Sequence, residues 1–273
     1  MNRTTVLSAV QQVRRMRGGS QSHLMRASDG HFYITKFQNN PQDVRVLANE
    51  FLASKIGLHL GLPMPQVEVI EVSDWLVTNT PELRVDIAGR STPCSSGLQL
   101  ASRYVADPET HVVFDYLPEV LLLERTRNLQ DFARVLVLDK WTGNADGRQV
   151  VFTKPVRARK YDVTFIDQGY CFNCAEWDFP DAALRGVYSR NSVYQQVTGW
   201  ESFEPALSRA EQIDFAELWR LTEGMPEEWW SAHDSDALSR LIETLYQRRS
   251  SIRDLITAFR NSSRNPFPNW AGN

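Results

Sequence analysis

The sequence predicts an α+β fold in two lobes, an N-terminal antiparallel sheet lobe with one helix and a mainly helical C-terminal lobe. Three observations predict it. Short β-branched and aromatic runs, broken by glycine turns, fill the first third of the chain. One amphipathic helix interrupts them. From Pro205 onward the apolar spacing is helical. The expected division is residues 1–105 for the first lobe, 106–260 for the second and 261–273 for a polar, proline-containing loose tail. The switch falls near Tyr104 to Pro108.

Each element has its own signal. Leu7 to Val13 reads as a strand, broken at Arg17-Gly18-Gly19-Ser20-Gln21. Ser22 to Ala27 is a second strand. Ser28-Asp29-Gly30 is a tight turn, because glycine after aspartate accepts a positive φ. His31 to Phe37 is a strand rich in aromatic and β-branched residues. A helix then starts near Pro41 and ends at Gly61, with Val44, Leu47, Ala48, Phe51, Leu52 and Leu58 on one side. Pro63 and Pro65 stop it. Gln66 to Val72 and Leu98 to Val105 are further strands. Ser73 to Gly97 carries no clear period and reads as loops. Leu117 to Leu123 and Leu129 to Lys140 are helical. Val150 to Lys154 and Val163 to Ile166 are short strands flanking the basic turn Arg157 to Lys160. Phe215 to Thr222 is a helix, and Asp236 to Phe259 is one long amphipathic helix or two.

Composition narrows the functional classes. The chain has 273 residues, 42% of them hydrophobic, which is enough for a substantial core. A formal charge of −3 gives no overall pull toward nucleic acid or anionic membrane, so neither is an expected partner. Three cysteines do not make a disulfide framework and fit a reducing compartment. The first residues lack a long apolar run and no stretch is long enough to span a bilayer, so the expected location is the cytoplasm.

The candidate chemistry lies in five places. Gly18 and Gly19 let backbone amides approach a phosphate, and Arg17 adds charge; an ordinary turn is the competing reading. Lys36 shares a strand face with Phe32 and Ile34, and burying its charge needs partners such as phosphates and a carboxylate. The alternative is a lysine with its head in water. Glu50, on the helix, is placed to pair with Lys36, or else is a solvated helix residue. The loop Asp139-Lys140-Trp141-Thr142-Gly143-Asn144-Ala145-Asp146-Gly147-Arg148 follows an apolar helix and precedes a strand. In it Asp146 is the candidate for orienting an acceptor hydroxyl and taking its proton. Asn144 is placed to bind metal or hold the loop, and Arg148 to balance Asp146 or a phosphate. The competing reading is a self-capped turn. Last, the strand Val163 to Ile166 ends in Asp167-Gln168-Gly169, which puts a carboxylate suited to Mg²⁺ at the rim of a core. Cys171 and Cys174 have CxxC spacing, but no second pair completes a four-ligand zinc site, so ordinary thiols are expected. Trp177, Phe179, Trp229 and Trp230 read as packing residues.

With these residues the chain resembles the HipA-like kinase family, whose type member is the serine/threonine kinase toxin of a bacterial toxin–antitoxin pair. Arg17 to Leu24, Tyr33 to Gln42, Leu47 to Pro65, Asp139 to Arg148 and Ile166 to Gly169 carry the resemblance. It implies a protein-kinase-like fold, ATP and Mg²⁺ as cofactors, and phosphorylation of a Ser/Thr hydroxyl. It maps Gly18, Gly19 and Ser20 to the phosphate loop, Lys36 to the nucleotide lysine, Asp146 to the catalytic aspartate and Asp167 to the metal aspartate. One position departs. The family pattern carries a metal-binding asparagine five residues after the catalytic aspartate, and here that residue is Val151, with Gln149 or Asn144 as substitutes. The departure motivates alternatives: a nucleotide-binding pseudokinase or a regulatory module with an antitoxin-like protein partner. A kinase for a small-molecule hydroxyl is a third reading, disfavoured by the lack of His-x-Asp in the 139–148 loop.

Overall fold

The computed structural model describes residues 6–107, 109–231 and 234–271. Its first part is a closed barrel of β1 (Leu7–Arg15), β2 (His23–Ala27), β3 (Phe32–Lys36), β4 (Val67–Val72) and β7 (Gly97–Arg103). The strands run in the order β1-β2-β3-β7-β4. All pairings are antiparallel except the one that closes the barrel, where β1 meets β4 in parallel through Leu7 opposite Ile70 and Ser8 opposite Glu71. This corrects the expectation of a purely antiparallel sheet. A two-residue contact between strands far apart in sequence leaves no local pattern to read. Register shifts in β1, between Ala9 and Gln11 and between Gln12 and Arg14, bend that strand around the barrel. Met25, Ala27, Tyr33, Phe37, Ile70 and Ala101 fill one apolar cluster of this part.

The stretch 73–97, expected as loops, is structured. Helix α2 (Asp74–Asn79) is capped by Ser73, whose Oγ accepts from the Leu76 amide at 3.2 Å. Strands β5 (Arg84–Ile87) and β6 (Arg90–Pro93) form a hairpin around Ala88–Gly89. The barrel part therefore carries two helices, not one.

The longer helix, α1 (Arg45–His59), is buried on nearly every side, from Val46 to Gly57 with Lys55 as the exception. Leu47, Ala48 and Phe51 pack with Val67, Leu100 and Trp229. Leu52, Ala53 and Ile56 enter the large core of the second part. A helix apolar on several faces is one enclosed between layers, and α1 joins the barrel to everything that follows.

The second part has a three-stranded sheet in the order β10-β9-β8, from β8 (His111–Phe114), β9 (Gln149–Pro155) and β10 (Asp162–Ile166). Its helices are α3 (Glu119–Arg125), α4 (Asp131–Trp141), α5 (Ala206–Gln212), α6 (Phe215–Arg220), α7 (Ala237–Arg248) and α8 (Ile252–Arg260). The long amphipathic run resolves into α7 and α8, joined by a 3-10 turn at Arg249–Ser251. At the centre lies α4, where every residue but Arg134 is buried. Trp141 in it donates from Nε1 to the Leu245 carbonyl at 2.8 Å. The expected loose tail is instead docked. Phe267 is 3% exposed among Tyr194, Phe203, Phe259 and Trp270, and the Ala271 amide reaches the Thr198 carbonyl at 2.9 Å. The aromatic residues of 261–271 outweigh the prolines that suggested disorder.

Candidate active site

A cleft of about 890 Å³ opens between the barrel and the β8–β10 sheet. Gly18, Gly19, Ser20, Lys36, Glu50, Asp146 and Asp167 all line it. Asn144 and Arg148 do not.

The glycine segment is the β1–β2 connection. The Met16 amide donates to the Ser22 carbonyl at 2.8 Å, which pinches the loop. Gly18 has φ 129, and a Cβ on Gly19 would lie 2.9 Å from Gln42 Nε2. Gln21 ties the loop to the β5–β6 hairpin, accepting from the Asp86 amide at 2.7 Å and donating to its carbonyl at 2.9 Å. The hairpin that the sequence did not disclose thus steadies the loop over the cleft.

Lys36 ends β3, where strand alternation turns Ile34 and Lys36 to the cleft and Thr35 inward. Its ammonium is 4% exposed on a residue basis and is shared by two carboxylates. It donates to Glu50 Oε2 and, at 2.8 Å, to Asp167 Oδ1. Ser102 Oγ donates to the other Glu50 oxygen at 3.3 Å. Burial by itself would pull the lysine pKa down, but Asp167 and Glu50 together raise it. The two acids diverge. Burial pushes Glu50 up despite Lys36. Lys36 holds Asp167 below the usual carboxylate range, against its burial and with help from Arg148.

Asp167 sits where β10 ends, in the left-handed region at φ 61, which aspartate tolerates better than most residues. The following segment is clamped to α1. Asn49 Nδ2 donates to the Gly169 carbonyl at 2.8 Å and to the Cys174 carbonyl at 2.7 Å. Trp177 Nε1 donates to Asn49 Oδ1 at 2.7 Å. A Cβ on Gly169 would lie 2.6 Å from Val46 Cγ1. Sequence reasoning missed Asn49. A buried asparagine beside Glu50, in the middle of an apolar helix, was the available signal.

Asp146 is exposed at the cleft wall. Its Oδ1 accepts from the Gly147 amide at 2.7 Å and its Oδ2 from Gln149 Nε2 at 3.1 Å. Gln149 and Val151, two apart on β9, also line the cleft. Two expectations change here. Arg148, expected as a catalytic residue, is fully enclosed, with its guanidinium bidentate on Asp139 through Nη2 and Nε. It also donates to Gln168 Oε1 at 2.6 Å and to the Ile166 carbonyl at 3.1 Å. Asn144, expected as a metal ligand or loop holder, is the holder. Its Nδ2 donates to Asp139 Oδ1 at 2.9 Å and its Oδ1 accepts from the Asp146 amide at 3.1 Å. Together they tie the Asp146 loop to the Asp167 segment from behind the cleft.

Among the described residues, no three His, Cys, Asp or Glu side chains converge as a metal cage. A divalent ion that arrives with a nucleotide needs only one or two carboxylates, the phosphate oxygens supplying the rest, and Asp167 is a carboxylate on the cleft wall. A cleft of this volume, with a glycine loop, an enclosed ammonium and the carboxylates of Glu50, Asp115, Asp146 and Asp167 on its walls, fits a nucleotide with its metal. The CxxC cysteines lie outside this set. Cys171 is enclosed, accepts from Thr142 Oγ1 at 3.3 Å, and burial pushes its thiol up to about 12.

Fold and cleft define the chain as a kinase-fold protein. The family model described as HipA-like kinase matches residues 9–254, and the chain belongs to that family. Solved structures agree on the fold. The Helicobacter pylori proinflammatory kinase CtkA aligns with TM-score 0.53 and 14% identity, over 89% of this chain and 96% of that one. HipA in the Shewanella oneidensis MR-1 toxin–antitoxin complex with HipB and operator DNA aligns with TM-score 0.53 and 11% identity, over 96% and 75%. The Golgi casein kinase with Mn/ADP bound aligns with TM-score 0.52 and 9% identity, over 94% and 73%. No curated protein matches the chain. No described helix is long and apolar enough to cross a membrane.

Proposed function

We propose that this protein is an ATP- and Mg²⁺-dependent phosphotransferase acting on a protein Ser/Thr hydroxyl, with the nucleotide held between two lobes. The observation that carries the reading is the Lys36 ammonium, enclosed between Glu50 and Asp167 in a cleft that Gly18 and Gly19 also line. Family membership supports it, as does the Mn/ADP bound to the Golgi casein kinase. The three free cysteines fit a reducing cytoplasm.

In this reading the amides of Gly18 to Ser20 cover the phosphates, and Lys36, steered by Glu50, neutralises their charge. Asp167 would hold Mg²⁺ together with phosphate oxygens. The metal supplies charge neutralisation and in-line alignment of the transferred group. Asp146 orients the acceptor hydroxyl and takes its proton. Gln149 keeps the Asp146 carboxylate directed, and, lining the cleft two residues from Val151 on β9, it offers an amide oxygen in place of the ligand that Val151 lacks. Catalysis is then mainly positioning and electrostatics. The test is transfer of label from γ-³²P-ATP. Asp167→Asn should lower turnover by about 10²–10³-fold or more with its circular dichroism unchanged. Turnover equal to wild type would remove Asp167 from the metal role.

Val151 favours a second reading, a nucleotide sensor that regulates a protein partner; the Shewanella neighbour is itself found in a complex with HipB and operator DNA. Calorimetric binding of Mg·ATP by a wild-type protein that transfers no label would select it.

A further inference from the structure

Beside the nucleotide cleft lies a second cavity of about 870 Å³. The two share seven lining residues, among them Arg14, Arg17, Asp115, Gln149 and Val151, so the second begins where the first ends. Gln149 is hydrogen-bonded to Asp146, which places the second cavity on the acceptor side of the proposed chemistry. Its remaining walls include Arg15, Tyr116, Arg148, Tyr188 and Arg190, with Asp115 the sole acidic lining residue.

The cations differ in what they have left to offer. Arg148 is committed to Asp139, and Arg15 to Asp86 at 2.8 Å. Arg190 donates to the Leu117 carbonyl at 2.6 Å and to Tyr188 Oη at 2.8 Å. Its guanidinium lies 4.9 Å from the Tyr116 ring centre and 5.5 Å from that of Tyr188. Among the described residues, the side chains of Arg14 and Arg17 have neither an ion pair nor a hydrogen bond. Two uncompensated guanidiniums at the junction of two cavities make a site for anionic groups.

We infer that this cavity takes the acceptor chain, and that the acceptor is an acidic peptide segment whose Asp or Glu side chains, flanking the target hydroxyl, pair with Arg14 and Arg17. The inference rests on the phosphotransferase reading and names its substrate class. A peptide fits better than a nucleic acid for a specific reason. Base binding needs open aromatic faces; Tyr188 is buried under Arg190, which leaves Tyr116, 63% exposed and with Arg190 on one face, as the single lining aromatic open to a base. The two unpaired guanidiniums outnumber that one platform, and they suit carboxylates.

The test measures binding and transfer separately. Fluorescein-labelled serine peptides, flanked by Glu or by Lys, are titrated by anisotropy at two salt concentrations, with wild type, Arg14→Glu and Arg14→Lys. Phosphorylation of the same peptides is then followed with labelled ATP. Wild type should bind the Glu peptide at least about tenfold more tightly than the Lys peptide, with the preference weakening in salt. Arg14→Glu should abolish or invert that preference, and Arg14→Lys should retain most of it. Selective binding of the Glu peptide without transfer would uphold the basic groove and defeat the phosphotransferase reading. Transfer with equal KM for both peptides would uphold the kinase and overturn the inference. Tighter binding of a single-stranded RNA than of the Glu peptide would also overturn it.

Discussion

The Lys36 ammonium is divided between a carboxylate that burial pushes up and one that its own charge holds down. This arrangement has a definite dependence on pH. Asp167 has a lowered folded pKa, so its contribution to stability is present above the unfolded value of about 3.9 and is lost as pH falls through the folded one. Lys36 has a raised folded pKa, so its contribution is complete below about 10.4 and is lost as pH rises past the folded value. Glu50, raised, works the other way, because protonating it relieves the cost of burying its charge. Asp167→Asn should therefore flatten the acid limb, giving a smaller loss of unfolding free energy between about pH 5 and pH 2 than wild type in urea titrations. Parallel limbs would mean that the Lys36–Asp167 contact does not persist in solution. At this scale the site residues on the cleft wall were legible because their order is informative: glycine pair, strand lysine, helix glutamate, loop aspartate, strand-end aspartate. The placement of Arg148 and Asn144 behind the cleft was not legible, for a physical reason. Their partner Asp139 looks like an ordinary helix acid in sequence, and only the fold shows it enclosed at 1% exposure and in need of donors.

Among the elements, α1 and the Asp167 segment act as one unit. Asn49 bonds the backbone on both sides of Tyr170, and Gly169 lets the chain pass against Val46. Gly169→Ala should thus move the Asp167 carboxylate, costing about 1–3 kcal/mol of stability from overpacking and lowering transfer. Adding Val46→Ala should restore most of both, as read by urea midpoints and label transfer. A double variant no better than the single would show that the close approach does not set the segment's position. The helix itself was legible from its apolar spacing, but its enclosure on several sides was not, since Asn49 and Glu50 interrupt the stripe where it is most buried. The β5–β6 hairpin was missed because its strands are short and polar-faced, with Val85 the one residue of the pair of strands that is fully enclosed. Strand β8 was missed for a similar reason: none of its residues is buried, so no strong apolar alternation marks it.

Across the whole molecule, three stretches of chain meet at one cleft, the β1–β3 region, the 139–148 loop and the end of β10, and the proposed function depends on that meeting. α1 makes this possible by packing against Val67 and Leu100 of the barrel strands and into the large core, which fixes Lys36 of the first part against Asp167 of the second. The α+β character was legible in the order of strands and helices. The barrel closure between β1 and β4 and the docking of 261–271 were not, because both depend on partners far away in sequence. The most direct test of the central claim is a crystal structure of the protein soaked with a non-hydrolysable ATP analogue and Mg²⁺. The expected result is the triphosphate under Gly18 and Gly19, the Lys36 ammonium on a phosphate oxygen, the metal on Asp167, and Asp146 facing the terminal phosphate. A nucleotide bound elsewhere, or one that leaves Lys36 and Asp167 paired only with each other and untouched by phosphate or metal, would contradict it.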